Sequence, residues 1–360
     1  MDRRRLLRTC GACLGASLGG CLSTPEVPGS DVDERIYTCS YDAQAFALSD
    51  SGESYDELWN WSRDDQTTDI QVDRNHDVLL CNRSRGLEKW EYGDRPPTLR
   101  WRYEGLTGSI RGISVDKNND YYLGSWTEHG FHKVVEEDGR PRRAWEYTWD
   151  GEDGMIASAP NRSGEVAVGL KNNEVHLLGD IDGEPHRYWT WTPNTDRIVR
   201  ELLWGSDDEL YVGCEDHRLY KLVDTGPEGE PTLEWAYDSG NIVFGASRTL
   251  EGDLYVATNA GEVHHVREED GEPERQWVYH HTEPDGPVPD DEYWWDGKAH
   301  QVAVRPDGSE LYSCAYDGTV HKVIEEDGGP RRVWEFDGHT DNVREVRVAY
   351  ESLGTWPEYW

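Results

Sequence analysis

A triplet of the form Trp-x-aromatic recurs seven times, and its spacing narrows the possible folds more than any other feature of the chain. The triplets are Trp59-Asn60-Trp61, Trp101-Arg102-Tyr103, Trp145-Glu146-Tyr147, Trp189-Thr190-Trp191, Trp235-Ala236-Tyr237, Trp277-Val278-Tyr279 and Trp334-Glu335-Phe336. Successive triplets lie 42, 44, 44, 46, 42 and 57 residues apart. The segments before them repeat as well: residues 120–145, 253–277 and 310–334 read alike. Each runs through a short apolar strand, a Gly/Asn/Asp turn, an alternating strand, an acidic Asp-Gly turn and a Trp-bearing strand. One more short strand precedes them, as at Ile113-Ser114-Val115. Four short strands joined by tight turns form an antiparallel sheet. Repeats of this length with four strands each make propeller blades.

The two ends of the repeat region complement each other. Residues 35–48 align with residues 310–323, so the chain enters its first blade at the second strand, without an inner strand. Residues 341–348 read as an inner strand with no blade after it. Pairing the two closes the ring and leaves no free sheet edge. The expected fold is therefore all-β: a seven-bladed β-propeller of four-stranded antiparallel blades, closed by the C-terminal strand joining the N-terminal blade. It occupies residues 33–360 as one domain.

The turn-and-Trp pattern Asp138-Gly139-Arg140-Pro141-Arg142-Arg143-Ala144-Trp145 resembles the quinoprotein-like (PQQ-like) propeller repeat. Gly338-His339 followed by Asp341-Asn342-Val343 resembles the WD40 repeat. The resemblance covers about residues 33–350 and implies the fold, not the function, since both families carry enzymes, scaffolds and binders. Quinoprotein dehydrogenases have eight blades, an adjacent Cys pair and a set of calcium ligands. Seven blades and no Cys-Cys pair imply a propeller without that cofactor, and no cofactor is expected.

The N-terminus reads as an address. Arg3, Arg4 and Arg5 precede a short apolar stretch that ends in small residues, the plan of an export signal. At about 15 residues the stretch is too short for an ordinary spanning helix. Asp2-Arg3-Arg4-Arg5-Leu6-Leu7-Arg8 resembles the twin-arginine signal, and Leu18-Gly19-Gly20-Cys21 resembles a lipobox. The resemblance implies lipidation at Cys21, a leader over residues 1–21, a tether over 22–32 and a cell-surface protein held to the outer face of the cytoplasmic membrane.

The formal net charge is −36, from 72 acidic and 36 basic residues spread along the chain. Such a surface repels nucleic acid and anionic lipid headgroups. Disorder does not account for it, because 17 Trp and 19 Tyr suffice to build a core. Acid excess with 29 Arg over 7 Lys resembles proteins of halophilic archaea, where concentrated counterions screen the self-repulsion. Beyond the leader and Cys21, four cysteines remain, and Cys39, Cys81 and Cys314 share one second-strand position, with Cys214 one residue on. They read as small buried strand residues.

The triplet Trp residues are expected on outer strands, docked on the neighbouring blade. Trp126, Trp149, Trp204, Trp294 and Trp295 fall outside the triplets and are freer to meet a ligand. His132, His176, His264 and His321 share one strand position, which reads as repeat architecture. His280 and His281 open the one long insertion, residues 280–295, whose acids suit an acidic loop more than a metal site; no metal is expected. Neither a G-x-S-x-G elbow nor a phosphate-cradling G-x-x-x-x-G-K-[ST] loop occurs.

One column of the repeat carries binding chemistry. When the inner strands are aligned, Arg111, Arg200, His300 and Arg344 occupy one position, filled by Thr68, Ile156 and Phe244 in the other blades. Lys298 lies two residues before His300. Inner strands line a propeller's tunnel, so these side chains are expected to converge there as a site for carboxylate, sulfate or phosphate. The alternative is that each Arg pairs with an adjacent acid such as Glu201 or Glu345 and braces the ring. The expected function is a non-catalytic, monomeric scaffold that binds an extracytoplasmic protein or ligand. The rival is an enzyme: Lys298-Ala299-His300-Gln301-Val302 resembles the His-bearing inner strand of arylsulfotransferase-type propellers, which implies a His nucleophile flanked by Arg.

Overall fold

Each blade is built from four strands of different burial, and the residue patterns say why. Second strands such as Val78–Asn82 and Leu210–Cys214 are buried throughout, covered on both faces by neighbouring blades, and accordingly read as continuous apolar runs. Outer strands alternate. In Thr232–Asp238, Trp235 and Tyr237 are buried while the residues around them face solvent. The hairpins into the outer strands turn on Asp-Gly pairs. Asp138 and Gly139 both have positive φ (51° and 72°), as do Asp182-Gly183, Asp270-Gly271 and Asp327-Gly328. A two-residue turn with both φ positive matches the strand twist, and Gly takes such a conformation without strain.

The computed structural model describes residues 34–62, 64–91, 97–106, 108–151, 154–205, 208–281 and 297–350. The leader, Cys21 and the tether lie outside the described residues, as do Trp294, Trp295 and residues 282–296. The described strands form seven four-stranded antiparallel sheets, set as a ring of blades. Numbering the blades along the chain, the inner strands are Val343–Tyr350, Thr67–Val72, Ile110–Val115, Met155–Pro160, Val199–Trp204, Val243–Arg248 and Ala299–Val304 for blades 1 to 7.

Blade 1 is shared between the chain's ends. Its inner strand, Val343–Tyr350, pairs antiparallel with Glu34–Ser40, with Val346 opposite Thr38 and Val348 opposite Ile36. This is the closure expected from the sequence. Val343 and Val346 are fully buried against Phe46, Phe336 and Tyr312, so the seam has an apolar core of its own. His339 Nε2 lies 2.7 Å from the Thr38 hydroxyl, and Asp42 accepts the Thr340 N–H at 2.7 Å.

Neighbouring blades are clasped by repeated polar contacts. Outer-strand Trp Nε1 groups donate to carboxylates of the next blade: Trp145 to Asp180, Trp235 to Glu268, Trp277 to Glu325 and Trp334 to Asp50, at 2.9–3.1 Å. Lysines repeat the device. Lys89 binds Glu136, Lys221 binds Glu268 and Lys322 binds Asp50. The last aromatic of a triplet meets the recurrent histidine. Tyr103–His132, Tyr147–His176, Tyr237–His264 and Tyr279–His321 are hydroxyl–imidazole contacts of 2.7–2.9 Å between adjacent blades. The histidine column is thus interblade architecture. Cys39, Cys81, Cys214 and Cys314 are buried free thiols.

Candidate anion-binding site in the axial tunnel

The inner strands wall a cavity of about 570 Å³. Near its start each inner strand breaks register with its second strand. The break skips Thr68, Ile156, Arg200, Phe244, His300 and Arg344 in six blades, and in blade 3 it follows Arg111. The irregular position is the column singled out from the sequence. A β-bulge re-aims a side chain and breaks the in–out alternation of a strand. Here it turns the column toward the axis, and all seven of its residues line the cavity.

A second tier locks onto the first. The residue just after each second strand donates its backbone N–H to the carbonyl two residues before the column. These bonds are Tyr41 to Asn342, Arg83 to Gln66, Trp126 to Ser109, Lys171 to Gly154, Glu215 to Ile198, Asn259 to Ile242 and Tyr316 to Lys298, at 2.8–3.2 Å. This sevenfold bond sets Tyr41, Trp126, Lys171, Glu215 and Tyr316 beside the column. No motif in the sequence marks this tier. Its signal is positional: each member stands two residues after the Cys39/Cys81/Cys314 column. Of the Trp residues freer to meet a ligand, Trp126 does line this group. Trp149 is buried in the core between blades, and Trp204 lines the tunnel wall with its Nε1 donating to the Ala159 carbonyl.

The cations are held largely by aromatic faces. The Arg111 guanidinium lies 4.4 Å from the Trp126 ring centre and donates to the Tyr41 hydroxyl at 2.8 Å. Lys171 approaches the same Trp126 ring at 4.5 Å. Lys298 lies 4.2 Å from the Tyr316 ring, and Arg344 lies 4.9 Å from Tyr41 and donates to the Tyr316 hydroxyl. A cation over an aromatic face keeps its charge. Arg200 differs, for its Nε donates to Glu215 at 2.7 Å. The ion pairs seen here join Arg200 to Glu215 and Glu345 to Arg347, the latter at 2.8 Å.

Burial shapes the protonation of this group. Desolvation, with the repulsion of Arg344, lowers Arg111 to about 10; desolvation lowers Arg200 to about 10 against the pull of Glu215. Both remain charged at neutral pH. His300 stacks on Tyr316 with ring centres 5.2 Å apart and meets Phe244 at a tilt, 5.3 Å away. Burial first, then Arg344, Lys298, Arg111 and Arg200, push its pKa well below the usual histidine value. It is a neutral imidazole whose Nδ1 is buried without a hydrogen-bond partner among the described residues.

Beyond the cations the tunnel changes sign. Asp69, Glu201, Gln301 and Glu345 follow the column by one residue, and all line the cavity. Burial raises Asp69 to about 6 and Glu201 to about 7, with Arg347 opposing in both cases, and it raises Glu345 further.

His281 is placed elsewhere. It is buried between blades 6 and 7, 2.7 Å from the Ser313 hydroxyl and 2.8 Å from that of Thr319, and its ring stacks on His321 with centres 3.7 Å apart. No metal-ligand cluster occurs among the described residues.

No family model and no curated protein sequence matches the chain. Solved structures do. The WD40 β-propeller domain of Doa1 superposes with a TM-score of 0.65 at 12% identity, covering 82% of this chain and 90% of that one. This is a WD40-like seven-bladed propeller. The WD40-like ring also matches the β-propeller domain of Cps50 (Swd1) from Myceliophteria thermophila, with a TM-score of 0.60 at 12% identity over 77% of this chain and 87% of that one. A putative 6-phosphogluconolactonase from Bacteroides fragilis superposes with a TM-score of 0.72 at 9% identity, covering 89% and 99%. At such identities the likeness establishes the fold and leaves function to the site.

Proposed function

We propose that this propeller is a lipid-anchored, extracytoplasmic binding protein that takes a small anionic ligand at the cationic end of its tunnel. One observation carries the reading. Arg111, Arg200 and Arg344 line one cavity of about 570 Å³, with Lys298 buried against the Tyr316 ring, in a chain whose net charge is −36. The volume is that of a small-molecule site. Guanidinium groups backed by aromatic rings present fixed N–H donors to a carboxylate, sulfate or phosphate. Arg3-Arg4-Arg5 and Leu18-Gly19-Gly20-Cys21 support export and anchoring, with the acidic composition suiting a high-salt exterior.

Calorimetric titration of the protein in molar KCl with sulfate, phosphate and a dicarboxylate tests the site. Binding is expected for at least one of them. Arg344→Gln and Arg111→Gln should each weaken it about tenfold or more, the scale of a charge-assisted hydrogen bond. Failure of the wild type to bind any of the three overturns the reading. Anchoring is tested separately. Cys21→Ala should move the protein from the membrane fraction to the soluble one, and retention in the membrane would overturn the lipid assignment.

A second reading is favoured by His300, a neutral imidazole among cations whose Nδ1 has no hydrogen-bond partner among the described residues. Such an imidazole could take the sulfuryl group from an aryl sulfate, release the phenol and pass the group to an acceptor, with the cations balancing the transferred charge. Turnover of an aryl sulfate that disappears in His300→Ala would support it, and absence of turnover removes it.

A further inference from the structure

The register break does more than turn one residue inward. It brings two consecutive residues of an inner strand to the tunnel, Arg200 with Glu201, Arg344 with Glu345, Thr68 with Asp69 and His300 with Gln301. The first members form the cationic tier. The second members form an acidic tier directly beyond it.

The acidic tier is short of positive charge. Its carboxylates are Asp69, Glu201 and Glu345, and the guanidinium among them is Arg347, held by Glu345 at 2.8 Å. Gln301 Nε2 donates to Glu201 at 3.2 Å, and Asp69 Oδ2 accepts the Ile113 N–H at 2.9 Å. Asp69 Oδ1 has no hydrogen-bond partner among the described residues, although the residue is 5% exposed. In the cationic tier, His300 Nδ1 and Arg344 Nε are likewise buried without hydrogen-bond partners. Buried polar atoms in this state call for a complement.

We propose that the tunnel ligand is amphoteric, a compound carrying a carboxylate and an ammonium group a few bonds apart, as in an α-amino acid. The inference rests on the anion-binding reading above and names the ligand class. The carboxylate lies on the Arg111, Arg200 and Arg344 tier, and the ammonium lies on the Asp69, Glu201 and Glu345 tier. Consecutive strand residues rise about 3.3 Å, which suits two charged groups separated by one or two carbons. A simple dianion of that size would press one charge against the acids, and a simple cation would lie within reach of three arginines. Only opposite charges in that order satisfy both tiers. The ammonium also replaces protons held near neutrality by Asp69 and Glu201, so binding at pH 6 releases protons.

The test compares amino acids with their deaminated counterparts. The wild-type protein in molar KCl at pH 6 is titrated with L-glutamate and glutarate, and with L-alanine and propionate, in two buffers of different ionisation enthalpy. At least one amino acid should bind about tenfold or more tightly than its counterpart, with proton release in its titration alone. Asp69→Asn and Glu201→Gln should each bring that ratio toward one, the amino acid losing a carboxylate that receives its ammonium. Glu201→Gln keeps the bond geometry should Asp69→Asn fail to fold. Binding of glutarate or propionate at least as tight as its amino acid overturns the proposal and leaves the anion site standing. So does a ratio unchanged in the folded variants. Binding of none of the four, nor of sulfate or phosphate, overturns both.

Discussion

Glu201 stands beside Arg200 in sequence, yet the two answer to different partners. Burial lifts its carboxyl to about 7, with Arg347 and the Gln301 amide opposing and Asp69 adding to the rise. In the unfolded chain the group titrates at the ordinary carboxyl value near 4.5. Between those two values the folded state holds a proton that the unfolded state has released. The stability this contributes is complete below the lower pKa and is lost as pH climbs through the upper one. Glu201→Gln removes the titration. Its melting temperature should exceed wild type at pH 8 by a few degrees, from roughly 1–3 kcal/mol, and equal it near pH 4.5. Thermal unfolding at both pH values in the same molar salt measures this. A gain of equal size at both would show that the carboxylate's charge is not the cause.

The seam between the last blade and the first is where single elements bear on the whole ring. Lys322 reaches from blade 7 to Asp50 of blade 1 and also binds Glu310 at 2.9 Å, while Trp334 donates to the same Asp50. Lys322→Met keeps the stem's packing and leaves two carboxylates without their counter-charge, which should cost about 3 kcal/mol. Denaturant unfolding should show a lower midpoint, and an unchanged midpoint would mean the clasp is not energetically coupled to closure. Truncation at Gly338 removes the inner strand Val343–Tyr350 altogether, exposing a sheet edge in a fold stabilised by neighbour contacts. That variant should unfold without cooperativity and aggregate, and a sharp two-state transition would contradict the closure account. These elements were legible in the sequence because triplets, Asp-Gly turns and complementary ends repeat with a period, and the Arg111/Arg200/His300/Arg344 column obeys it too. Salt-bridge partners were not. Adjacency offered Glu201 and Glu345, but the bulge sends Arg200 to Glu215 on a turn, a direction that spacing does not encode. Trp126 stayed ambiguous for the same reason: its place depends on the bond from its N–H to the Ser109 carbonyl, between strands.

On the scale of the molecule, charge is the governing quantity. With 36 excess negative charges the ring repels itself, and at 0.01 M ionic strength that repulsion reaches roughly 30 Å. Near-ultraviolet circular dichroism should be lost on dialysis into dilute buffer and return in molar KCl; an unchanged spectrum would contradict the high-salt assignment. The tunnel is the local exception to this field, an enclosed positive group inside an acidic body, and the functional account stands on that reversal. The most direct measurement is a crystal structure of the protein grown with selenate, read by anomalous scattering. The account predicts a selenium peak on the axis, within hydrogen-bond distance of Arg344 and Arg111 and beside His300. A tunnel without such a peak, in a crystal whose selenate sites lie on surface arginines, would contradict it.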